Sequence, residues 1–592
     1  MTSSRSRGCR NVRIGRAPVL LVAVLIAFSA SLQMVAAQVG QPRNLLPPAS
    51  PDESMSPPPT ADTTTPLPAT GTTAAPQGFE INPLDAIGTD YAGTLDTGSG
   101  GFAVDMWRGT DRAKVERLLP LLKPTTSPVL ADLTRRLLLS NAGAPAGKGS
   151  GASLMAPRAK LLADMGMASD AVALLKLQRP EERDPGAARL LAELSWRTGD
   201  LDGGCAAVTE ALSRVKVESF WQQASIFCQY HAGHPDQASL GLDVLHEQGE
   251  EAPAFFALAD ALGGNSKVDV PPLAEATPLY LAMAHAAGLP PPKLSLRTPP
   301  PLMLALYAED PDTDPADRVA AAETAAAAGV LSSKALADAY TAKPADPAAL
   351  ESAGEKPDIG TTPETRALLY QAALHASAPE ARAPLIRKAL AAPVPDADYW
   401  ARLQLYLPLL AEIQPSPQLL SFAPVAARHL YAGGRLQEAD DWVAMLQQNV
   451  GQDQDAAASL SSLQALGYLA GGNAQPPVLD TLLSGPAQRP ETIRAIFAAF
   501  AAPAPGDAQA NLAPDATAMP GQNLNLWLDL GDAAAKSRIG ETVLLSLAGL
   551  DAGGLVGVDP RWIERTIASL RQVGLERDAR RLAVEAAIVN GL

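Results

Sequence analysis

A glycine followed five residues later by a small residue recurs at a nearly fixed interval in this chain. The three clearest pairs are Gly166 with Ala171, Gly199 with Gly204, and Gly233 with Ala238. Each glycine ends an apolar run with helical spacing, and each small residue lies early in the next run. Glycine lets a chain leave a helix with positive φ, and a small residue lets two antiparallel helices approach closely. The pattern therefore predicts helix hairpins over residues 153–245.

The rest of the chain also favours helices over strands. Aromatic residues make up only 5% of it, whereas alanine and leucine are abundant. Five polar residues followed by proline predict a helix N-cap with proline at the first helical position: Ser127-Pro128, Asp314-Pro315, Thr362-Pro363, Ser416-Pro417 and Asp559-Pro560. The glycine and small-residue spacing recurs at Gly434 with Ala439 and at Gly574 with Ala579. We therefore predict an all-α fold, a superhelical array of antiparallel helix hairpins.

Helix–turn–helix units that repeat every 33 or 34 residues resemble the tetratricopeptide repeat (TPR). Leu191 and Ala192 match the apolar positions of a first helix, and Val208 matches one of a second helix. Ala188 and Ser195 stand where the family usually has large aromatic residues. The resemblance is thus to a divergent member of the superfamily, and it clearly covers residues 153–245. It implies an α-solenoid.

Members of that family bind extended peptides along the concave face, through outward positions of the first helices. These positions correspond here to Lys160, Asp164, Arg189, Glu193, Trp196, Arg197, Gln223, Phe227, Tyr230 and His231. From them the resemblance implies a partner-binding set of Arg189, Glu193, Trp196, Arg197, Gln223, Phe227 and Tyr230. Aromatic and arginine side chains are the types favoured at interaction hot spots. The alternative is that the aromatic members only complete the packing between neighbouring units.

Residues 1–37 have the composition of a secretory signal peptide. Five arginines precede an apolar core at residues 17–28, and small residues up to Ala37 provide a cleavage site. If the segment is not cleaved, it would anchor the N-terminus in the inner membrane. These 37 residues hold five of the 47 basic residues and none of the 63 acids, so the mature chain carries 42 basic and 63 acidic side chains, about −21. That charge would repel nucleic acid and anionic lipid.

The remaining chain divides into three predicted parts. Residues 38–100 form a disordered Pro/Thr/Ser-rich tether followed by an irregular arm, which could alternatively lie as a cap on the first helices. Residues 101–350 form an N-terminal helical-repeat array. Residues 351–592 form a C-terminal array with a long Pro/Ala/Gly-rich loop near 502–523.

No pattern of catalytic residues emerges. Cys228, His231 and His234 spell Cys-x2-His-x2-His, but they straddle the turn at Gly233 and would spread along a surface, so we predict no metal site and no cofactor. Lytic transglycosylases also use helical superstructures outside the cytoplasm, and their catalytic domain carries a Glu-Ser start and a Gly-Leu-Met-Gln segment. This chain offers only Gly151-Ala152-Ser153-Leu154-Met155, without Glu-Ser directly before it and without Gln after it. We expect a non-enzymatic periplasmic scaffold or adaptor for protein or peptide partners. The alternative is a cell-wall-active enzyme or its accessory subunit, and a remote one is ice binding by the Thr/Ala/Pro-rich segment.

The last prediction is a disulfide between Cys205 and Cys228. These are the only cysteines outside residues 1–37, and export would place them in an oxidising compartment. They lie on neighbouring antiparallel helices, each about eleven residues from the loop near Lys216, so they should stand level. The alternative is a pair of buried free thiols.

Overall fold

The structure is a computed structural model, and it describes residues 89–592 with several gaps. The gaps are residue 152, 215–217, 266, 392–397, 450, 452–457, 485–488, 502–520 and 551–553, and side chains are not described at 89 and 521–523. Within the described residues there is no strand, only isolated bridges such as Leu95 with Ser140. The signal-like segment, the tether and most of the 502–523 loop lie outside the described residues.

The first ten helices include the predicted hairpins. They are α1 (Arg112–Leu118), α2 (Pro128–Leu139), α3 (Met155–Asp164), α4 (Ala168–Leu175), α5 (Pro185–Arg197), α6 (Leu201–Leu212), α7 (Ser219–His231), α8 (Pro235–Glu247), α9 (Pro253–Leu262) and α10 (Pro278–Ala286). Short 3-10 helices occupy Thr89–Tyr91, Leu119–Leu121 and Pro180–Glu182. Successive helices from α3 to α8 pack on one another in chain order, as in a helical-repeat array.

Nine helices follow in the middle of the chain. They are α11 (Pro301–Glu309), α12 (Pro315–Ala327), α13 (Ser333–Thr341), α14 (Pro347–Glu351), α15 (Pro363–His375), α16 (Pro379–Leu390), α17 (Tyr399–Ala411), α18 (Ala423–Ala432) and α19 (Leu436–Gln448), with 3-10 helices at Ala353–Glu355 and Pro417–Phe422. Helix α15 packs against α12 and α13, so helix packing crosses the predicted boundary at residue 350.

The last described helices are α20 (Leu460–Ala470), α21 (Leu479–Leu482), α22 (Pro490–Ala498), α23 (Gly521–Ala535), α24 (Ile539–Gly549), α25 (Pro560–Gln572) and α26 (Glu576–Val589). Helix α26 packs against α18, α20, α22 and α25, and ten of its residues are buried. Within the described residues, no helix is both long and apolar enough to cross a membrane.

Four of the five predicted proline-containing helix starts are confirmed. The side chains of Ser127, Asp314, Thr362 and Asp559 each accept a hydrogen bond from a backbone N–H of the first turn, with proline directly after them. At Ser416 the prediction is confirmed only in part: a helix begins at Pro417, but the Ser416 side chain does not cap it. The segment after it is a 3-10 helix, and the Ser416 hydroxyl is buried without a hydrogen-bond partner among the described residues. A polar residue before proline predicts that a helix begins there, but it does not predict whether that helix is an α-helix or a 3-10 helix.

All five glycine and small-residue pairs behave as predicted. Each glycine of the five pairs has a positive φ, between 72° and 85°. Each small partner is buried: Ala171, Gly204, Ala238, Ala439 and Ala579. At Gly204 an added Cβ would lie 2.2 Å from Trp196 Nε1, so this position has no room for a side chain. The turn and the close helix approach are therefore both encoded locally.

The segment before α1 packs as a cap. Tyr91, Phe102, Met106 and Trp107 are buried. The Phe102 N–H donates a 2.7 Å hydrogen bond to Ser140 Oγ, at the end of α2. The described part of the arm is therefore irregular in backbone yet part of the core, as in the cap alternative.

The two ends of the helical array contact each other, which the sequence did not predict. Helices α1 and α2 pack against α24, and α2 also packs against α26. Lys114 Nζ lies 2.8 Å from Glu541 Oε1, and Arg136 Nη1 lies 2.9 Å from Asp578 Oδ1. Both carboxylates are buried. The first and last helices are thus joined by buried ion pairs as well as by apolar packing.

Candidate functional site

The disulfide joins the two helices at the centre of the predicted repeats. Cys205 on α6 and Cys228 on α7 are bonded, with their Cα atoms 5.4 Å apart. Both residues are half-buried and pack against the hydrophobic core. The bond therefore fixes α6 against α7 and leaves the Cys228 sulfur unable to act as a thiolate ligand, as the rejected Cys-x2-His-x2-His pattern would have required.

The predicted partner-binding residues of α5 are largely engaged within the fold. Trp196 is 4% exposed, and its indole makes an edge contact with Phe227, with ring centroids 5.6 Å apart. Arg197 forms a two-pronged ion pair with Glu309 of α11, at 2.6 and 3.1 Å. Arg189 is the accessible member of this group. It pairs with Glu193 at 3.0 Å, and burial raises the pKa of Glu193 despite that partner.

The predicted residues of α7 face two later helices of the same chain. Phe227 is fully buried, and Gln223 donates a 2.9 Å hydrogen bond to Ser219 Oγ. The Tyr280 hydroxyl of α10 donates a 3.3 Å hydrogen bond to Gln223 Oε1. Tyr230 is half-buried, and this burial raises the pKa of its hydroxyl.

Helices α9 and α10 therefore cover the face where the resemblance placed a peptide groove. Helix α10 packs against both α5 and α7, and α9 packs against α7. In this structure Trp196, Gln223 and Phe227 are packing residues, which is the alternative that the sequence left open. The partner-binding role of the whole set stays a prediction, since no partner is present in the structure.

A different face of α7 borders an open apolar groove of about 490 Å³, which we call the α6–α8 groove. Trp221 and Ile226 of α7 form its buried floor. Its edges are Leu212 of α6 and Leu240 and Val244 of α8, which are 41%, 67% and 41% exposed. The remaining lining is Gln222, Ser225, Gln229, Gln237 and Gly241. The lining of this groove thus consists of apolar and neutral polar residues.

Gly241 explains why α8 lies so close to α7 at the groove. A Cβ at this position would lie 2.7 Å from Ile226 Cγ1. The missing side chain lets Ile226 pack against the backbone of α8, while Leu240 and Val244 project on the open side. The groove is therefore a consequence of close helix packing and not of a loop.

Sequence reasoning missed the groove residues although a signal was present. Along α8, Ala238, Leu242 and Leu245 share one helical face and pack inward. Leu240 and Val244, four residues apart, fall on another face. A helix with two apolar faces has more apolar surface than one packing partner covers.

Comparisons of the chain with protein-family models, curated protein sequences and solved structures give no match. The helical packing described above is compatible with a helical-repeat protein.

Proposed function

We propose that this protein is an exported, non-enzymatic adaptor of TPR-like architecture that binds a protein partner through the α6–α8 groove. The observation that carries the proposal is the exposure of Leu212, Leu240 and Val244 around one apolar groove. Contiguous exposed apolar surface with a polar rim is typical of sites of protein interaction. The groove also lies between helices, which suits an amphipathic helix or a short apolar segment of a partner.

Two further observations support export and the repeat assignment. The Cys205–Cys228 disulfide fits an oxidising compartment such as the periplasm, and residues 1–37 have the order of a secretory signal. The positive-φ glycines and their buried small partners support the TPR-like assignment for α3–α8. Helix α10 packs against both α5 and α7, and α9 packs against α7.

The test is capture of partners from an envelope extract by the immobilised protein. The Leu240→Lys variant places a charge at the groove edge, where the side chain is already exposed, so folding should be preserved. The matched control is Val104→Lys, since Val104 is 65% exposed at a place far along the chain from the groove. We expect Leu240→Lys to lose specific partners that the wild type and Val104→Lys both retain.

Equal capture by all three proteins would contradict the proposed site. Digestion of purified peptidoglycan by the wild-type protein alone would instead favour the cell-wall enzyme of the sequence analysis. Circular dichroism of each variant shows whether lost capture results from a changed binding surface or from unfolding.

A further inference from the structure

We infer that the partner segment bound in the α6–α8 groove is a basic amphipathic helix. This inference rests on the proposed function and specifies the chemistry of the partner. It draws on the charges around the groove, in addition to the apolar edges that led to the proposal above.

The apolar part of the groove fits a helix ridge. Leu240 and Val244 lie one turn apart on α8, and Leu212 faces them from the end of α6. Side chains spaced by four residues on one helix form a ridge that packs into the grooves of another helix. Helix α8 has only Ala238 and Leu245 fully buried, so the other described residues leave much of its surface uncovered.

A row of carboxylates runs beside this ridge. Asp236, Asp243 and Glu247 are exposed and fall on one flank of α8, next to Leu240. Helix α8 contains no lysine or arginine. Within the described residues, none of the three carboxylates forms an ion pair. Three unneutralised negative charges along one edge of an apolar groove would attract a helix with lysine or arginine beside its apolar face.

The described cation nearest in sequence to Leu212 is already engaged elsewhere. Arg214 donates hydrogen bonds to the carbonyls of Glu210 and Pro180, so it is held at the end of α6. Arg183 pairs with Glu210 at 2.7 Å. Neither guanidinium neutralises the carboxylates of α8, so the charges that the described residues place at that edge are negative.

The direct test uses synthetic peptides of about 18 residues, long enough to form a helix on binding. The first has leucines at positions i, i+3, i+4 and i+7 with lysines elsewhere. The second replaces the lysines with glutamates. The third has the composition of the first in a scrambled order without an apolar face. Fluorescence anisotropy with the purified, disulfide-bonded protein gives the affinities. We expect the first peptide to bind at least about tenfold more tightly than either of the others.

Matched charge reversals then locate the binding. The double variant Asp243→Lys with Glu247→Lys should weaken binding of the first peptide about tenfold, since each surface charge contributes a fraction of a kcal/mol and both change sign. The control reverses Glu351 and Asp441, two exposed acids on α14 and α19. Its affinity should equal that of the wild type. Leu240→Lys should abolish binding of the first peptide.

Three results would overturn the inference: equal affinity for the lysine and glutamate peptides, equal affinity for the scrambled peptide, or equal loss in the control reversal. A fourth contradictory result can come from light scattering, which measures the oligomeric state of the protein. A dimer that Leu240→Lys disperses would identify a second copy of this chain as the occupant. If Leu240→Lys still loses envelope partners while the peptides show no preference for charge, the proposed function stands and this inference fails. If neither the capture of envelope partners nor the binding of the peptides depends on Leu240, the proposed function and this inference both fail.

Discussion

Ser127 Oγ donates a 2.9 Å hydrogen bond to Oε2 of Glu585, and this bond links the start of α2 to α26, the last helix. Both side chains are buried at 1% exposure. Burial raises the pKa of Glu585 to about 8, against the lesser opposing effects of Ser127 and Arg581. Burial therefore favours the protonated form of this carboxyl, at the contact between the first and last described helices.

Stability should fall as the pH rises through the range set by Glu585. The unfolded chain releases this proton near the ordinary glutamate pKa of 4.5, whereas the folded protein holds it up to about pH 8. The native state thus gains stability at low pH from this group and loses it between these values. We expect Glu585→Gln to remove the loss, and to be more stable than the wild type at pH 8 by a few kcal/mol. Each pKa unit corresponds to about 1.4 kcal/mol.

Urea unfolding of both proteins at pH 5 and pH 8 measures this difference. The control is Glu351→Gln, at an exposed acid on α14. An identical pH dependence for the wild type and Glu585→Gln would contradict the assignment.

The buried ion pair between Arg136 and Asp578 should couple the chain ends energetically. A double-mutant cycle with Arg136→Ala and Asp578→Ala should give an interaction energy of about 1–3 kcal/mol, since the partners contact each other and Asp578 is buried. The reference pair is Lys334 with Asp338, which is exposed on α13 and should give at most about 0.5 kcal/mol. Equal coupling energies for the two pairs would show that the Arg136–Asp578 contact stabilises the fold no more than an exposed ion pair does.

The disulfide should contribute measurably to stability. Replacing Cys205 and Cys228 with serine should lower the free energy of unfolding by about 3 kcal/mol on the loop-entropy estimate for the 23-residue separation. Thiol titration of the denatured, unreduced protein should detect no thiol from these two residues, and peptide mapping should recover them as one linked fragment. Free thiols at both positions would contradict the assignment of the disulfide.

Gly204→Ala should destabilise the protein although alanine is the better helix former. The new Cβ would lie 2.2 Å from Trp196 Nε1, and forcing apart a tight contact costs about 1–3 kcal/mol. Gly98→Ala is the control, because the nearest atom to its Cβ would be 3.4 Å away and its φ is not positive. Thermal unfolding compares the two. A stabilised Gly204→Ala variant would mean that helix propensity outweighs packing here.

The sequence predicted those features that depend on a few neighbouring residues. Gly199 and Gly233 end helices because only glycine readily adopts their positive φ. Ser127 caps α2 because a hydroxyl two or three residues before free N–H groups satisfies them. The Cys205–Cys228 pair was predictable because both residues stand about one helix length from the same turn. These are local rules, so the all-α class and most hairpin positions followed from them.

Contacts between distant segments were decided by the tertiary structure alone. Helix α10 packs against α5 and α7, and α9 packs against α7. Trp196 and Phe227 are buried, although their sequence pattern equally suits a binding face. The contact of α2 with α26 brings together Ser127 and Glu585, which are 458 residues apart in the chain. An apolar face on a helix predicts that the face will be buried. It does not predict which helix will bury it, because the hydrophobic effect is not directional. The groove bordered by Leu240 and Val244 is a surface that the packing of the described helices leaves exposed.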